Sequence, residues 1–555
     1  MVRATFSGFN TALSALQANQ KRLDITGQNL SNMNTAGYTR QQLEASSLNY
    51  TNPVSHYSNG NETAVGFGVS MDRVSQIRDP YLDIQYRSQS ADCSYTNRLQ
   101  TALNSLSKVL DETTISGIRQ AFDDIQSTLT SMQDPAKVSD PIYESELRTK
   151  MQSVCNLFNQ ASRQISQAEQ NEFQRLTGEG SSEQGDVQKI NDILRQIGDL
   201  NVQIKRNQVA GHPSLELQDE RNLLLDELSG YIPVETRYYK DDAHSGNNAY
   251  DYDANGAVIG KKDWPDDLEV SMNYIDAQGK SQKLILVNGS DLGADGLTKN
   301  YGQLSVLNRD HQPAASVSDP ANISIKFEKA PSYQVNGQAA TDVYAELNGI
   351  HFEGGSLQAS LDMLQKKGTG NVINGSVDDV RGYQYYSEKL DQLADTFAKS
   401  MNASNNGNNH KDQNLLSNST DDSTNGITAG NIGISKGWTS GTIHISTDGT
   451  NRTDTILDMI AAMKDTKKLN GKTFADYMNN LSTQLASDSS SNQTALKTGT
   501  TVLNSIQDSR DSLSGVSLDE EATNMMAYVS AYNAASRLMT ALDEVLNTLI
   551  SNTGA

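Results

Sequence analysis

Two cysteines, two tryptophans and ten prolines in 555 residues exclude several kinds of protein at once. Cys93 and Cys155 stand in no CxxC or Cys/His metal spacing, so neither a disulfide framework nor a zinc site is indicated. Each falls on a helical pattern and reads as a buried free thiol rather than half of a bridge. Basic charge is short as well: 45 Lys and Arg against 67 Asp and Glu leave a formal charge of −22. Such a surface repels phosphate backbones and anionic membrane, so neither nucleic acid nor membrane is expected as a partner. No apolar run reaches the roughly 18 residues of a membrane span. The opening residues, MVRATFSGFNTALSAL, lack the apolar stretch and cleavage site of a secretory signal.

Catalytic signatures are missing too. The seven histidines are dispersed, and no zinc-protease helix, P-loop or complete dinucleotide-binding glycine motif occurs. Gly66 and Gly68 lack the third glycine of the last of these and read as a strand or turn. Asp251, Asp253, Asn255 and Gly256 match the first, third, fifth and sixth positions of a calcium loop. The twelfth position, which needs a bidentate Glu, is Lys262, so an Asn-Gly hairpin turn is the better reading. No catalytic residue, metal ligand or cofactor is therefore assigned.

What the chain does have is a heptad-like apolar stripe at each end. Phe6, Phe9, Leu13, Leu16, Gln20, Leu23, Gly27 and Leu30 alternate at spacings of three and four, as do Tyr528, Ala531, Ala535, Leu538, Leu542, Val545 and Leu549. Termini usually fray, so these stripes predict helices that pair with each other or with neighbouring subunits. Their alanines, Gly27 and Gln20 allow close approach but bury little apolar area, so lateral neighbours are needed and both ends are expected to be mobile before assembly. Ordinary amphipathic helices of one globular core are the plainer alternative.

Between the ends, apolar residues keep helical spacing from about 79 to 229, with Pro135 and Pro141 at one boundary and Gly178, Gly180 and Gly185 at another. Short alternating runs such as LEVSMNYI and KLILVNG then occupy 232–348, separated by Asn, Asp and Gly turns. Helical pattern resumes at SLQASLDMLQ, an Asn/Gly-rich stretch carries two short strands, IGIS and TIHIS, and a long helix from FADYM leads to the C-terminal stripe. The fold class is mainly α with an inserted β domain. Terminal helices, residues 1–50 with 511–555, form a coiled-coil-like axial domain. A long-helix bundle takes 51–235 with 346–510, including a small β insertion near 404–450, and an outer β-rich domain takes 236–345.

The segment LDITGQNLSNMNTAGYTRQQLEASS carries Asn29, Asn32, Asn34, Thr35, Gly37, Tyr38, Arg40 and Gln41. It resembles the N-terminal signature of bacterial flagellar rod, hook and hook-associated proteins, in which a helix ends in an Asn-rich stretch before NT-x-GY. Local physics agrees, because the asparagines cap and turn and Gly37 permits positive φ. The last segment is similar to the C-terminal signature of the same superfamily, with Glu520 and Glu521 at the positive end of a helix and Ala531, Tyr532 and Ala535 in the shared small-and-aromatic pattern. Gly-Tyr-x-Arg-Gln at 37–41, LELQDERNLLLDELSGYIPV and VGFGVSMDRVSQIRDPYL resemble the hook-associated protein 1 branch rather than the hook or rod branches.

The resemblance implies a structural, non-enzymatic component of the flagellum that joins hook to filament, located outside the cell at that junction and exported through the flagellar type III apparatus without a cleavable signal. It implies further copies of itself in a ring or helical layer, the hook protein, a second hook-filament junction protein and an export chaperone as partners. The assembly surfaces would be Phe6, Phe9, Leu13, Leu16, Leu23 and Leu30 on the first helix, and Leu518, Met525, Tyr528, Tyr532, Leu538, Leu542, Val545 and Leu549 on the last. Two alternatives stand beside it. A hook or distal-rod protein would share both ends but lack the helical middle, and a flagellum-borne hydrolase or adhesin would keep its site in the central insertion.

Overall fold

The computed structural model describes residues 2–48, 68–110, 112–138, 140–178, 184–240, 250–252, 258–261, 266–275, 280–289, 300–307, 324–328, 334–335, 338–339, 343–346, 351–373, 376–407, 412–447 and 451–553. Helix α1, Val2–Ser31, runs into a turn in which Gly37 holds φ at +79°, and the chain returns along α1 as β1, Gln41–Ser47. That strand pairs antiparallel with β2, Val69–Gln76, Gln41 standing opposite Gln76 with a register shift between Glu44 and Ala45. Gly68 opens β2 at φ +111°, and a Cβ there would lie 2.2 Å from Ser14 Oγ, so only glycine lets the strand meet α1 this closely.

The helical body begins at α2, Pro80–Val109. Asp79 caps it by accepting from the Tyr81 N–H, and Pro80 occupies a first-turn position whose missing N–H costs nothing. Helix α3, Glu112–Ser131, and the single turn α4, Pro135–Val138, lead to α5, Pro141–Thr177, whose 37 residues span about 56 Å. The expected punctuation holds. Asp140 and Pro141 start α5, Gly178 ends it in the left-handed region, and Gly185 stands at the N-cap of α6, Asp186–Val209. Helix α7, Leu215–Tyr231, completes the N-terminal half of the body.

Strands β3 (Glu235–Lys240), β4 (Tyr250–Tyr252), β5 (Val258–Lys261), β6 (Asp266–Ile275), β7 (Ser281–Asn288), β8 (Gln303–Leu307), β9 (Ser324–Glu328), β10 (Gln334–Val335), β11 (Gln338–Ala339), β12 (Val343–Glu346) and β13 (His351–Phe352) follow. In one antiparallel sheet β6 pairs with β3, β7 and β13, and in another β9 lies between β8 and β12. The first sheet is fused to the helices. Asn201 on α6 donates to the carbonyls of Leu268 and Gly289, and Asn191 exchanges hydrogen bonds with the main chain of Leu304. Leu268, Val270, Leu284, Leu286 and Phe327 belong to the same continuous core as the helices. Residues 253–257 and the side chain of Asp251 lie outside the described residues, so the calcium-like run has no structural account.

Helix α8, Gly355–Gln365, the hairpin of β14 (Val372–Ile373) and β15 (Ser376–Val377), and α9, Tyr383–Asn406, bring the chain back along the body. Next come β16 (Leu416–Asn418) and β17 (Ile432–Ile434), which pair, then α10 (Lys436–Ser440) and α11 (Asp454–Lys464). IGIS is a strand as expected, but TIHIS, Thr442–Ser446, is not: its extended chain is held instead by Asn405, which accepts from the Ser446 N–H and donates to the His444 carbonyl. The described part of the Asn/Gly-rich stretch builds into the core, with Leu415, Leu416, Ile432 and Trp438 buried and the Trp438 indole N–H bonded to Glu144. At the centre Phe122 meets Phe397 at 5.2 Å and Phe474 at 5.5 Å between ring centroids.

Helix α12, Phe474–Ser514, is 41 residues long, and after Leu485 none of its residues is fully buried. Beyond that point it runs along α2 through polar and small contacts. Gln100 bonds Ser489, Asn492 bonds the Thr96 carbonyl, and a Cβ on Gly499 would stand 3.0 Å from Cys93 Sγ. After the short link at Gly515, α13, Leu518–Thr553, lies antiparallel along α1.

Candidate assembly interface

The α1/α13 pair has a register that can be read from three contacts. Asn29 reaches Glu521, the Arg22 guanidinium lies 5.6 Å over the Tyr528 ring, and a Cβ on Gly8 would meet the δ-carbons of Leu542 at 3.4 Å. Going outward from Asn29, α1 steps back seven and then fourteen residues while α13 advances seven and then fourteen, the heptad of an antiparallel coiled coil. Ala15 and Ala535 fall opposite each other midway, and Ala535 is 8 % exposed. Small residues let the two backbones approach, and Ala12, Ala18, Asn19, Ile25 and Thr26 complete the buried face of α1.

This seam is not the apolar stripe of α1. Leu13 is 46 % exposed, while Phe9, Leu16, Leu23 and Leu30 are half-buried on the flank beside it, and the Phe6 side chain lies outside the described residues. On α13 the stripe divides. Tyr528, Ala535 and Leu542 follow the seam, with Met525 half-buried beside it. Leu538 (47 %) and Val545 (55 %) turn outward, and Leu518, Tyr532 and Leu549 are exposed. A single chain thus covers one edge of each stripe and leaves the other open.

At the root of the pair the signature residues gather into a polar joint. Asn29 is buried and acts as a clasp rather than a cap: its Oδ1 accepts from the Gln41 N–H (3.0 Å) and Tyr38 Oη (2.9 Å), and its Nδ2 donates to the Gln41 carbonyl (3.0 Å). Asn32 and Thr35 shape the turn through the Thr35 N–H to Asn32 carbonyl bond, whereas Asn34 is exposed. Gly37 packs its open side toward Leu223 of α7. Arg40 links both ends of the chain. Its guanidinium pairs with Glu520 (2.7 Å) and Glu521 (3.0 Å), and its N–H donates to the Ser514 carbonyl at the end of α12. A polar cleft of about 200 Å³ remains between α1, β1 and α13, edged by Arg22, Thr26, Asn29, Arg40, Glu521 and Tyr528.

Several joint residues escaped the sequence reading. Asp219 of α7 accepts from both the N–H (3.0 Å) and the hydroxyl (2.6 Å) of Thr39. Arg78 pairs with Asp83, Arg510 bridges Asp83 (2.9 Å) and Asp226 (2.7 Å) and lies 4.2 Å over the Tyr86 ring, and Arg87 closes on Asp226 (2.8 Å). Arg510 lies 284 positions from Asp226 and farther still from Asp83, so no local pattern announces them. Burial works to raise the Asp83 carboxyl, but the Arg78 hydrogen bond and charge, with Arg510 and Arg87, hold it below the usual carboxylate range. Burial pushes Asp219 up to about 6 despite its two bonds from Thr39. The joint holds no nucleophile poised beside a base, and among the described residues no group of three or more His, Cys, Asp or Glu side chains could hold a metal ion. What this arrangement can do is clasp the two chain ends to the helical body.

Comparison with known proteins accounts for these parts. Residues 9–39 match the family described as flagella basal body rod protein, and 509–552 match the flagellar basal body rod FlgEFG protein C-terminal family. Residues 103–262 match the helical domain of flagellar hook-associated protein FlgK. Flagellar hook-associated protein 1 of Bacillus subtilis aligns at 29 % identity over 568 positions, 99 % of either chain. Along its whole length the chain is similar to flagellar hook-associated protein 1. Flagellar hook-associated protein 1 of Salmonella typhimurium and of Escherichia coli align at 29 % and 28 % identity, over 41 % of this chain and 38 % and 39 % of theirs. A solved structure, the flagellar hook junction protein FlgK from Burkholderia pseudomallei, aligns over 61 % of this chain and 45 % of that one at 17 % identity and a TM-score of 0.38. The two terminal matches fall on the seam and joint, and the middle match falls on the helical body and the start of the β region.

Proposed function

We propose that this chain is a structural component of the bacterial flagellum, set at the boundary between hook and filament and assembled there through α1 and α13. The observation that carries the reading is the terminal helix pair itself. It is long, joined by a thin seam, and bears an uncovered apolar flank on each helix, Leu13 on α1 and Leu538 and Val545 on α13. Neighbouring copies lying side by side would cover these flanks, giving a ring or helical layer. The hook protein on one face, a second junction protein on the other, an export chaperone and type III export complete the proposal. The helical body favours a junction protein over a hook or distal-rod protein. A hydrolase in the central insertion draws no support from relatives named as structural flagellar proteins.

The test is to express the tagged full-length chain in a flagellated strain lacking its own gene and to image isolated flagella. Label confined to the hook–filament boundary, with filament growth restored, is the expected result. Label spread along the hook, or absent from flagella that carry filaments, would remove the reading.

A further inference from the structure

The seam between α1 and α13 carries little information about alignment. Gly8, Ala15 and Ala535 are small, and a slip of one heptad, about 10.5 Å at 1.5 Å rise, sets Gly8 and Ala15 against Ala535 and Tyr528 in one direction or Leu549 and Leu542 in the other, so that no two large side chains collide. The root of the pair is different. The Glu521 side chain is 2 % exposed and Arg40 20 %, with Asn29 Nδ2 at 3.4 Å from the same carboxylate. Glu520 stays 61 % exposed, so its own link to Arg40 adds little. A desolvated pair of this kind is a weak source of net stability but a strong source of discrimination, because the slip that sets Gly8 against Leu549 leaves Glu521 without its cation and the slip that sets Gly8 against Ala535 takes it from Arg40 and Asn29 to Arg22 alone.

We propose that Arg40 and Glu521, seated on Asn29, are the register key of the terminal helix pair: the ion pair, and not the apolar seam, selects the alignment in which Gly8 meets Leu542. This property belongs to the free chain. It can fail while the junction function stands, and the reverse also holds.

Disulfide trapping in the full-length chain tests it, since trapping captures the alignment even where the pair is short-lived. Gly8→Cys with Leu542→Cys reports the native register, and Gly8→Cys with Leu549→Cys or Ala535→Cys reports a slip of one heptad in either direction. The native Cys93 and Cys155 are buried, and burial pushes the Cys155 thiol up to about 12, so they compete poorly. Under mild oxidation the native pair is expected to cross-link roughly tenfold more than either slipped pair, the discrimination of one charge-assisted bond. Adding Arg40→Met with Glu521→Leu removes both charges while keeping an apolar contact. Total cross-linking should persist while the preference falls to about threefold or less. A preference that stays near tenfold overturns the proposal. Loss of all three cross-links with the helical signal of the body intact overturns it too, because the pair would then support the helices rather than align them. Should the double variant lose its helical signal, Glu521→Gln removes the charge alone, and the same outcomes apply to it.

Discussion

Replacing Leu538 and Val545 with Asp separates what the chain needs to fold from what it needs to assemble. Leu538 is 47 % and Val545 55 % exposed, so in the free chain the change trades partly hydrated apolar surface for charge and should alter stability by no more than about 0.5 kcal/mol per site. In the proposed layer of copies the same positions would be covered. Burying the remaining half of a Leu is worth about 1 kcal/mol, and an Asp desolvated there without a partner costs about 3 kcal/mol. The sum, roughly 4 kcal/mol at each contact, weakens association about a thousandfold. Leu542→Asp is the internal contrast: its δ-carbons lie against Gly8 within the chain, so it should loosen the pair before any neighbour arrives. Circular dichroism melts of the purified variants measure the first effect, and restoration of filaments in a strain lacking the gene measures the second. Filaments of normal length and number from the Leu538/Val545 variant would refute the argument, as would a free chain already unfolded by it.

Amide exchange in the free chain should be graded along α1 and α13, slowest near Asn29 and Glu521 where the joint holds them and fastest toward residues 8 and 545; uniform slow exchange along both helices would contradict the thin seam. Gly198→Ala should destabilise the body by about 1–3 kcal/mol in a denaturant titration, because its Cβ would come within 2.7 Å of Asn300 Oδ1 and 2.8 Å of the Tyr301 ring. Asp219 binds its proton more tightly folded than unfolded, so it contributes stability that is gained as pH falls through about 6 and fully present below about 4; Asp219→Asn should flatten that part of the melting-temperature profile, whereas an unchanged slope would place the proton elsewhere. Excising residues 236–345 strips the β6/β7 sheet from α6, so the remaining helical body should melt at a lower temperature even where it still reaches flagella.

Helix boundaries in the body were legible because they rest on local chemistry. Asp140 with Pro141, Gly178 and Gly185 act within a few residues of themselves, and α8, α9, α11 and α12 begin and end close to where the periodicity does. TIHIS misled because alternating residues do not make a strand without a partner edge, and here Asn405 supplies the hydrogen bonds instead. The Asn/Gly-rich stretch read only as a small β insertion because composition does not reveal that Leu415, Leu416 and Trp438 find a bundle to pack against.

For the terminal helices, sequence alone determined that two long heptad helices would exist, that they would bury little, and that the N-terminal signature would turn sharply at Gly37. These are consequences of side-chain periodicity and of backbone freedom at single positions. Only the tertiary structure decided which face of each helix meets the other. Periodicity defines a stripe but not which of its edges is nearer the partner, and close backbone approach favoured Gly8, Ala12 and Ala15 over the adjacent leucines. The joint was likewise a tertiary outcome, since Arg40 with Glu521, Thr39 with Asp219 and Arg510 with Asp226 become neighbours only after the body has folded between them. Desolvation at that meeting point turns ordinary surface charges into a clasp.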